Sequence, residues 1–281
     1  LSSILFGLFS ALSWGGGDFF GGLASRKTGA YRAVFYGEVL GLFFLFGAVA
    51  FRSEVMPDWQ KLVLAGTGGA VGSIGLLILY QAMITGRMSI ATPVSALLAA
   101  TLPVAVGMLL DGLPAWTKLA GFALALLAVW LVAQEHSEKT QLMRLSDLRL
   151  PLLAGSCFGI YFILMHLAST TALVWPMVAS RSAGALALLI FMFTFRQAWH
   201  VSTPLAWPLI GINAILDVGG NLFYILAGQT GRMDVAAVLS SLYPGITVLL
   251  AGLVLKEKIN TVQWLGILAA LAAIMLMTIK T

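Results

Sequence analysis

The chain alternates long apolar runs with short polar breaks. Ten runs recur, near residues 2–24, 30–51, 61–84, 89–110, 114–133, 150–168, 172–195, 205–227, 235–255 and 262–279. Each is close to the ~20 residues that a helix needs to cross the hydrocarbon of a bilayer. A lipid-exposed backbone must satisfy its own hydrogen bonds, so these runs are expected to be helices. Breaks fall at 25–29, 52–60, 86–88, 111–112, 196–204 and 256–261. The one long polar stretch, 134–147, carries Glu135, His136, Glu138, Lys139, Arg144 and Asp147 and reads as a solvated connector.

The pattern also repeats. Thr85-Gly86-Arg87-Met88 recurs as Thr230-Gly231-Arg232-Met233, an offset of 145 from residue 85 to residue 230. At the same offset Ala91 meets Ala236, Ser95 meets Ser240, Leu97 meets Leu242, Gly107 meets Gly252 and Gly121 meets Gly266. Apolar composition alone scatters Ala and Leu coincidences, but not a shared polar tetrapeptide at a helix junction. The chain is therefore read as two five-helix copies, 1–134 and 149–281, joined by a polar linker at 135–148. Five crossings is an odd number, so the second copy must be inverted relative to the first. Inverted repeats place a pseudo-two-fold axis in the membrane plane, with solute sites near the midplane where the copies meet. The expected fold class is an all-α polytopic membrane protein with ten transmembrane helices in two inverted repeats.

Composition agrees with a lipid solvent: 60% of residues are hydrophobic, 10% are charged, and the mean hydropathy is +0.97. Soluble domains are nearer half apolar and a quarter charged. The net charge of +5 is spread over loops and helix ends without a basic cluster, so no nucleic-acid partner is expected. The single cysteine, Cys157, forbids an internal disulfide. The first run carries Asp18 among glycines, so it is expected to be a retained span rather than a cleaved signal. The sequence begins at Leu1 rather than Met, and a short preceding piece is expected. Lys and Arg are more frequent in loops after odd-numbered spans, which taken literally puts both termini outside the cytoplasm.

Candidate chemistry lies inside the spans. Asn213, Asp217, Asn221 and Tyr224 fall at i, i+4, i+8 and i+11, one face of the eighth helix. A charge at mid-bilayer costs roughly 3 kcal/mol on insertion scales. The stripe therefore reads either as the wall of a hydrated cavity or as an interhelical hydrogen-bond network. Trp14 and Asp18 are one turn apart in the first span, around Gly15, Gly16 and Gly17, which serve either to interrupt the helix or to pack it closely. Pro103 and Pro244 interrupt the fourth and ninth spans, beside Ser95, Ser240 and Tyr243, and with the three glycines they are the candidate hinges. His166 is a buried structural histidine or a proton relay titrating near neutrality. Glu38 is expected to pair with Arg32 at the membrane edge, and Arg32 and Arg181 to anchor headgroups or helix ends. Gly68, Gly72 and Gly75 form a small-residue stripe ending at Tyr80, with Ser73 nearby. The aromatics Trp14, Phe20, Tyr80, Tyr161, Trp175, Tyr224 and Tyr243 are candidate cavity walls. Trp59, Trp116, Trp199, Trp207 and Trp264 are expected in the interfacial belt. No P-loop, HExxH, paired CxxC or GxSxG occurs, so an enzyme is not expected, nor a metal or other cofactor.

Ser240-Ser241-Leu242-Tyr243-Pro244, then Leu250 to Leu255 and Lys256-Glu257, resembles the ninth helix of the drug/metabolite transporter superfamily. Trp264-Leu265-Gly266 fits the opening of its last helix. Trp14 through Asp18-Phe19-Phe20-Gly21-Gly22-Leu23-Ala24-Ser25-Arg26-Lys27 resembles the first helix of its EamA-type members. The first copy departs from the pattern, with Asp111-Gly112 where the second has Lys256-Glu257. The resemblance covers the whole chain and implies a bacterial exporter in the inner (plasma) membrane, with a central cavity and both termini cytoplasmic, against the loop count. Members carry amino acids, sugars, nucleotide sugars, drugs and other metabolites, so the resemblance leaves the substrate open.

The expected protein exports small organic metabolites, amino acids or related amphipathic solutes, by alternating access, as a monomer or homodimer. Asp217, Asn221, Tyr224, Trp14, Tyr80, Tyr243 and Ser240 are the expected solute contacts. Asp18, Asp217 and His166 are the candidates for carrying a coupled proton. The alternatives are a multidrug or organic-cation exporter and a membrane-embedded enzyme built on Asp18, His166 and Asp217.

Overall fold

The computed structural model describes residues 2–51, 54–85, 88–132, 134, 145–201, 203–256 and 259–279. The connector at 135–144 and Gly86-Arg87 of the first tetrapeptide lie outside them. Eleven helices occur among the described residues, and no strand. They are α1 (Ser2–Thr28), α2 (Ala30–Phe51), α3 (Trp59–Thr85), α4 (Met88–Asp111), α5 (Trp116–Val132), α6 (Leu145–Ala168), α7 (Val174–Thr194), α8 (Ala206–Gln229), α9 (Met233–Ser240), α10 (Tyr243–Val254) and α11 (Thr261–Thr278). The ten apolar runs are thus ten helical segments, the ninth broken into α9 and α10. Eight of them are long and apolar enough to cross a bilayer. Of the other two, α5 has 17 residues, and α1, with 27, is diluted by glycine, serine and Asp18.

Large apolar side chains cover much of the outside, and charged and amide side chains lie within the bundle. Phe43, Leu109, Phe193 and Leu253 are exposed, while Asp18, Glu38, Arg181, Asn213 and Asn221 are buried. Trp59, Trp116, Trp199, Trp207 and Trp264 are all exposed near helix ends, where an interfacial belt would place them.

The helices pair by a rule. The first helix of each half packs on the third and fourth of the other: α1 on α8, α9 and α10, and α6 on α3 and α4. Like also packs on like, α2 on α7 and α5 on α11. This packing is consistent with two copies related by a pseudo-two-fold axis.

Three local features set the helix ends. Gly29, at φ +86°, turns α1 into α2 in a single residue, a left-handed conformation that glycine adopts without a Cβ penalty. Arg232 precedes α9 and grips the fully buried Asp234, Nη2 to Oδ2 at 2.7 Å. The same guanidinium donates to the carbonyls of Asp111 and Gly112 at 3.0 and 2.8 Å. The arginine of the second tetrapeptide therefore ties the start of α9 to the end of α4. Finally, the Glu54 carboxylate accepts from the backbone N–H groups of Leu173, Val174 and Trp175, the last two at 2.7 and 3.3 Å. Those groups open α7 and would otherwise be orphaned. Glu54→Ala is expected to cost about 2 kcal/mol, because hydrogen bonds to a charged acceptor are the stronger kind. Thermal unfolding in detergent measures it.

The expected hinges divide. α1 runs unbroken through Gly15, Gly16 and Gly17, and a Cβ on Gly15 would sit 2.5 Å from Ile246 Cβ and 2.6 Å from the Tyr243 carbonyl oxygen. Close packing, not unwinding, is what this glycine provides. α4 is also continuous through Pro93 and Pro103, as transmembrane helices tolerate. Pro244 does mark a break, standing in the first turn of α10 just past the α9–α10 junction.

Candidate functional site

A cavity lies at the middle of the bundle, with about 80 Å³ open to the centres of water-sized spheres. One water needs about 10–15 Å³ measured this way, so the space takes several waters or part of a small solute. Its walls come from both halves: Trp14 and Asp18 on α1, Glu38 on α2, Ser73 on α3, Tyr161 and Phe162 on α6, Arg181 on α7, and Asp217 and Asn221 on α8.

The charged groups form a chain. Ser73 Oγ donates to Glu38 Oε1 at 2.7 Å. Arg181 Nη1 donates to Glu38 Oε2 at 3.0 Å, and Arg181 Nη2 donates to Asp217 Oδ2. The Asn221 amide donates to the Asp217 carbonyl oxygen at 2.7 Å and to Asp217 Oδ2 at 3.3 Å. The Tyr161 hydroxyl donates to Asn221 Oδ1. One guanidinium thus bridges carboxylates on two helices, its fork geometry serving each with a separate nitrogen. α7 packs on α2, which sets Arg181 beside Glu38 at the cavity. The pairing differs from the edge roles expected for these residues: Glu38 binds Arg181, whereas Arg32 donates to the His200 carbonyl oxygen at 2.7 Å. A buried charge is costly unless paired, and each of these charges has its counter-ion within the bundle. Asp18 is different. It is buried against the same cavity with no hydrogen bond or ion pair among the described residues.

One end of the cavity is closed by rings. Trp14 stacks on Phe162 with centroids 5.2 Å apart, and Phe162 stacks on Tyr224 at 4.7 Å. The indole of Trp14 lies on bare α8 backbone, since a Cβ on Gly220 would come within 2.4 Å of it. The Tyr224 hydroxyl donates to the Phe162 carbonyl oxygen at 2.9 Å, fixing the outermost ring. Beyond this wall is a second cavity lined by Tyr224, His166, Ser169, Thr170 and Gln229 at the ends of α6 and α8. Toward the other end, Tyr80 is buried with its hydroxyl accepting from the Asn213 amide at 3.2 Å, and that amide also donates to the Gly17 carbonyl oxygen at 2.9 Å.

Of the expected solute contacts, Trp14, Tyr243, Asp217 and Asn221 line the central cavity together with Asp18. Tyr224 and His166 line the second one. Tyr80 and Ser240 are buried outside both, Ser240 with its hydroxyl unpartnered. Sequence reasoning missed the Glu38–Arg181–Asp217 chain and the ring of Phe162. A signal existed for the first: at the repeat offset of 145, residue 38 falls on 183, two positions from Arg181. Helices that meet across a two-fold axis bring such near-equivalent positions together.

An all-helical bundle with a lipid-facing apolar surface and charged groups at its centre defines a multi-pass membrane protein. Residues 148–279, nearly all of the second half, match the EamA-like transporter family. The match is consistent with the drug/metabolite transporter superfamily and points to a membrane transporter of that type. An uncharacterized protein of Haemophilus influenzae is 29% identical over 122 residues, 42% of this chain and 41% of that one. An uncharacterized protein of Methanocaldococcus jannaschii is 38% identical over 69 residues, 25% of this chain and 50% of that one. The matched stretches thus span half or less of these relatives. A solved crystal structure superposes with a TM-score of 0.79 at 16% identity, over 99% of this chain and 96% of that chain, a likeness of fold.

Proposed function

We propose that the chain exports small organic metabolites, amino acids or related amphipathic solutes, across the bacterial inner membrane by alternating access through the central cavity. The two copies, 1–134 and 149–281, are the inverted repeats that move against each other. One observation carries this reading: both halves contribute charged groups to one buried cavity, acidic and basic, beside aromatic walls. A solute's ammonium group finds carboxylates there, and its apolar part finds rings. Asp217, Asn221, Trp14 and Tyr243 contact the solute, and Asp18 or Asp217 carries the proton of a coupled cycle. His166, in the second cavity, is off that site.

Counterflow in proteoliposomes with labelled amino acids, sugars and quaternary amines tests the reading. Amino-acid counterflow is the expected result, falling about tenfold or more in Asp217→Asn, as for a group that contacts solute through the cycle. Full activity of that variant, with the pH response of the parent, removes Asp217 from the site.

A second reading, an organic-cation exporter, is favoured by the excess of acid in the cavity. Asp18, Glu38 and Asp217 face a single arginine there, and aromatic faces attract cations. Efflux of cationic dyes from cells without amino-acid counterflow would select it.

A further inference from the structure

We propose that Arg181 is a tethered stand-in for the solute's cationic group: it occupies Asp217 when the carrier is empty and yields it to an incoming ammonium. The inference rests on the transport reading above and concerns how the empty carrier returns.

The geometry separates the two carboxylates that share this guanidinium. Glu38 is the inner one, its side chain 7% exposed, with one oxygen held by Ser73 and the other by Arg181 Nη1. Asp217 is the outer one, its side chain 20% exposed against 7% for Arg181, so an arriving cation meets Asp217 first. Displacing Arg181 Nη2 from Asp217 leaves Nη1 on Glu38, and the guanidinium is never without a counter-ion. The Asn221 amide steadies the Asp217 carboxylate as its partner changes. No such device serves Asp18, which lines the cavity unpaired.

An empty carrier must close around its own site before it can reopen on the other side. Closure over a bare carboxylate at mid-bilayer is costly, because desolvation is no longer offset by a partner. With Arg181 on Asp217 the empty site is closed by an internal ion pair. With an ammonium on Asp217 the loaded site is closed by the solute's charge. Asp217 is paired in both closed forms, so both can cross; Asp18, unpaired in each, does not distinguish them. Without the guanidinium only the loaded form can, and the carrier becomes an obligate exchanger.

The experiment compares net efflux with one-for-one exchange of the same labelled amine or amino acid in proteoliposomes. The variants are Arg181→Gln, Arg181→Lys and the double variant Glu38→Gln/Arg181→Gln, which spares the fold an unpaired Glu38. In Arg181→Gln and the double variant, net efflux is expected to fall by about a hundredfold, the scale of one broken buried pair, while exchange stays within about threefold of the parent. Arg181→Lys keeps both modes. Millimolar methylguanidinium, a free cation of the missing shape, restores net efflux to Arg181→Gln. Proportionate loss of both modes in monodisperse protein overturns the proposal, and so does unchanged net efflux. A parent protein that moves no amine or amino acid overturns the transport reading and this inference with it. Parental transport with proportionate loss in the variants overturns this inference alone.

Discussion

Gly69→Leu is expected to abolish the folded protein. A Cβ at this position of α3 would stand 2.0 Å from the Ser180 carbonyl oxygen and 2.4 Å from its carbon, which are backbone atoms of α7. Side chains can rotate out of a clash, but a carbonyl held in a helix cannot, so α3 and α7 would have to part. The contact is repeated from the other side, where a Cβ on Gly184 would come within 2.1 Å of Ser73 Oγ. In lipid the attraction between helices comes from close packing and interhelical polar contacts rather than from the hydrophobic effect. Losing the approach therefore loses much of what holds the pair. Overpacking a tight site costs about 1–3 kcal/mol when side chains absorb it, and more when backbone must move. Ser73 and Arg181 lie on these same two helices, so the charged chain through Glu38 would be broken as well. Size-exclusion profile and thermal unfolding in detergent read the effect. Gly47→Leu is the control, since nothing lies within 4 Å of a Cβ there. Equal stability of the two variants would contradict the close approach.

This contact also shows how far the residue pattern reaches. The small-residue stripe at Gly68, Gly72 and Gly75 is legible because it repeats on one helical face, and that face does receive α6, with Tyr161 against Gly72 and Cys157 against Gly75. Gly69 lies off that stripe and faces α7, and only the placement of two neighbours around α3 shows that both of its sides are crowded. Periodicity gives a helix its faces but not its partners. The same limit governs the charges. Asp217 and Asn221 stand out because four polar groups recur along one helix. Glu38 and Arg181 are single residues on separate helices, 143 positions apart, and single polar residues carry no period. The repeat carries more than the periodicity does. It predicts five-plus-five spans, and the cross-pairing of α1 with α8 and α3 with α6 is consistent with two copies. It also sets Tyr80 one position out of register with Tyr224. One accepts from the Asn213 amide and the other donates to the Phe162 carbonyl oxygen, so the two tyrosines are held by different partners. What duplication could not show is divergence: Pro103 leaves α4 intact while the α9–α10 junction breaks beside Pro244.

Tyr224→Ala is expected to join the two cavities. Tyr224 is the ring that faces the second cavity, and behind it Phe162 and Trp14 face the first. α6 and α8 touch little elsewhere, so the stacked rings rather than helix contact fill the gap between them. Removing the phenol deletes two ring contacts, to Phe162 at 4.7 Å and to Trp14 at 5.8 Å, and frees the Phe162 carbonyl oxygen. Aromatic pairs contribute about 0.5–1.5 kcal/mol each beyond their buried area, so roughly 1–3 kcal/mol of closure is lost. With about 1.4 kcal/mol to a factor of ten, water and small reagents should pass about tenfold more often. A thiol placed beyond the wall reads this out. In a Cys157→Ser background, Phe158→Cys puts a sulfhydryl on the central cavity, and Thr170→Cys puts one at the exposed rim of the second. A membrane-impermeant thiol reagent is applied from the face that carries the α6–α7 turn. Thr170→Cys should react at the same rate with or without the tyrosine, whereas Phe158→Cys should react about tenfold faster once the tyrosine is gone. Tyr224→Phe separates the ring from its hydroxyl. It keeps both ring contacts, so its rate should stay near the parent's if stacking closes the wall, and should match the alanine variant's if the hydrogen bond to Phe162 does. Indifference of the Phe158→Cys rate to all three residues at position 224 would mean that the reagent reaches the central cavity by another way, and that the rings are packing rather than a barrier.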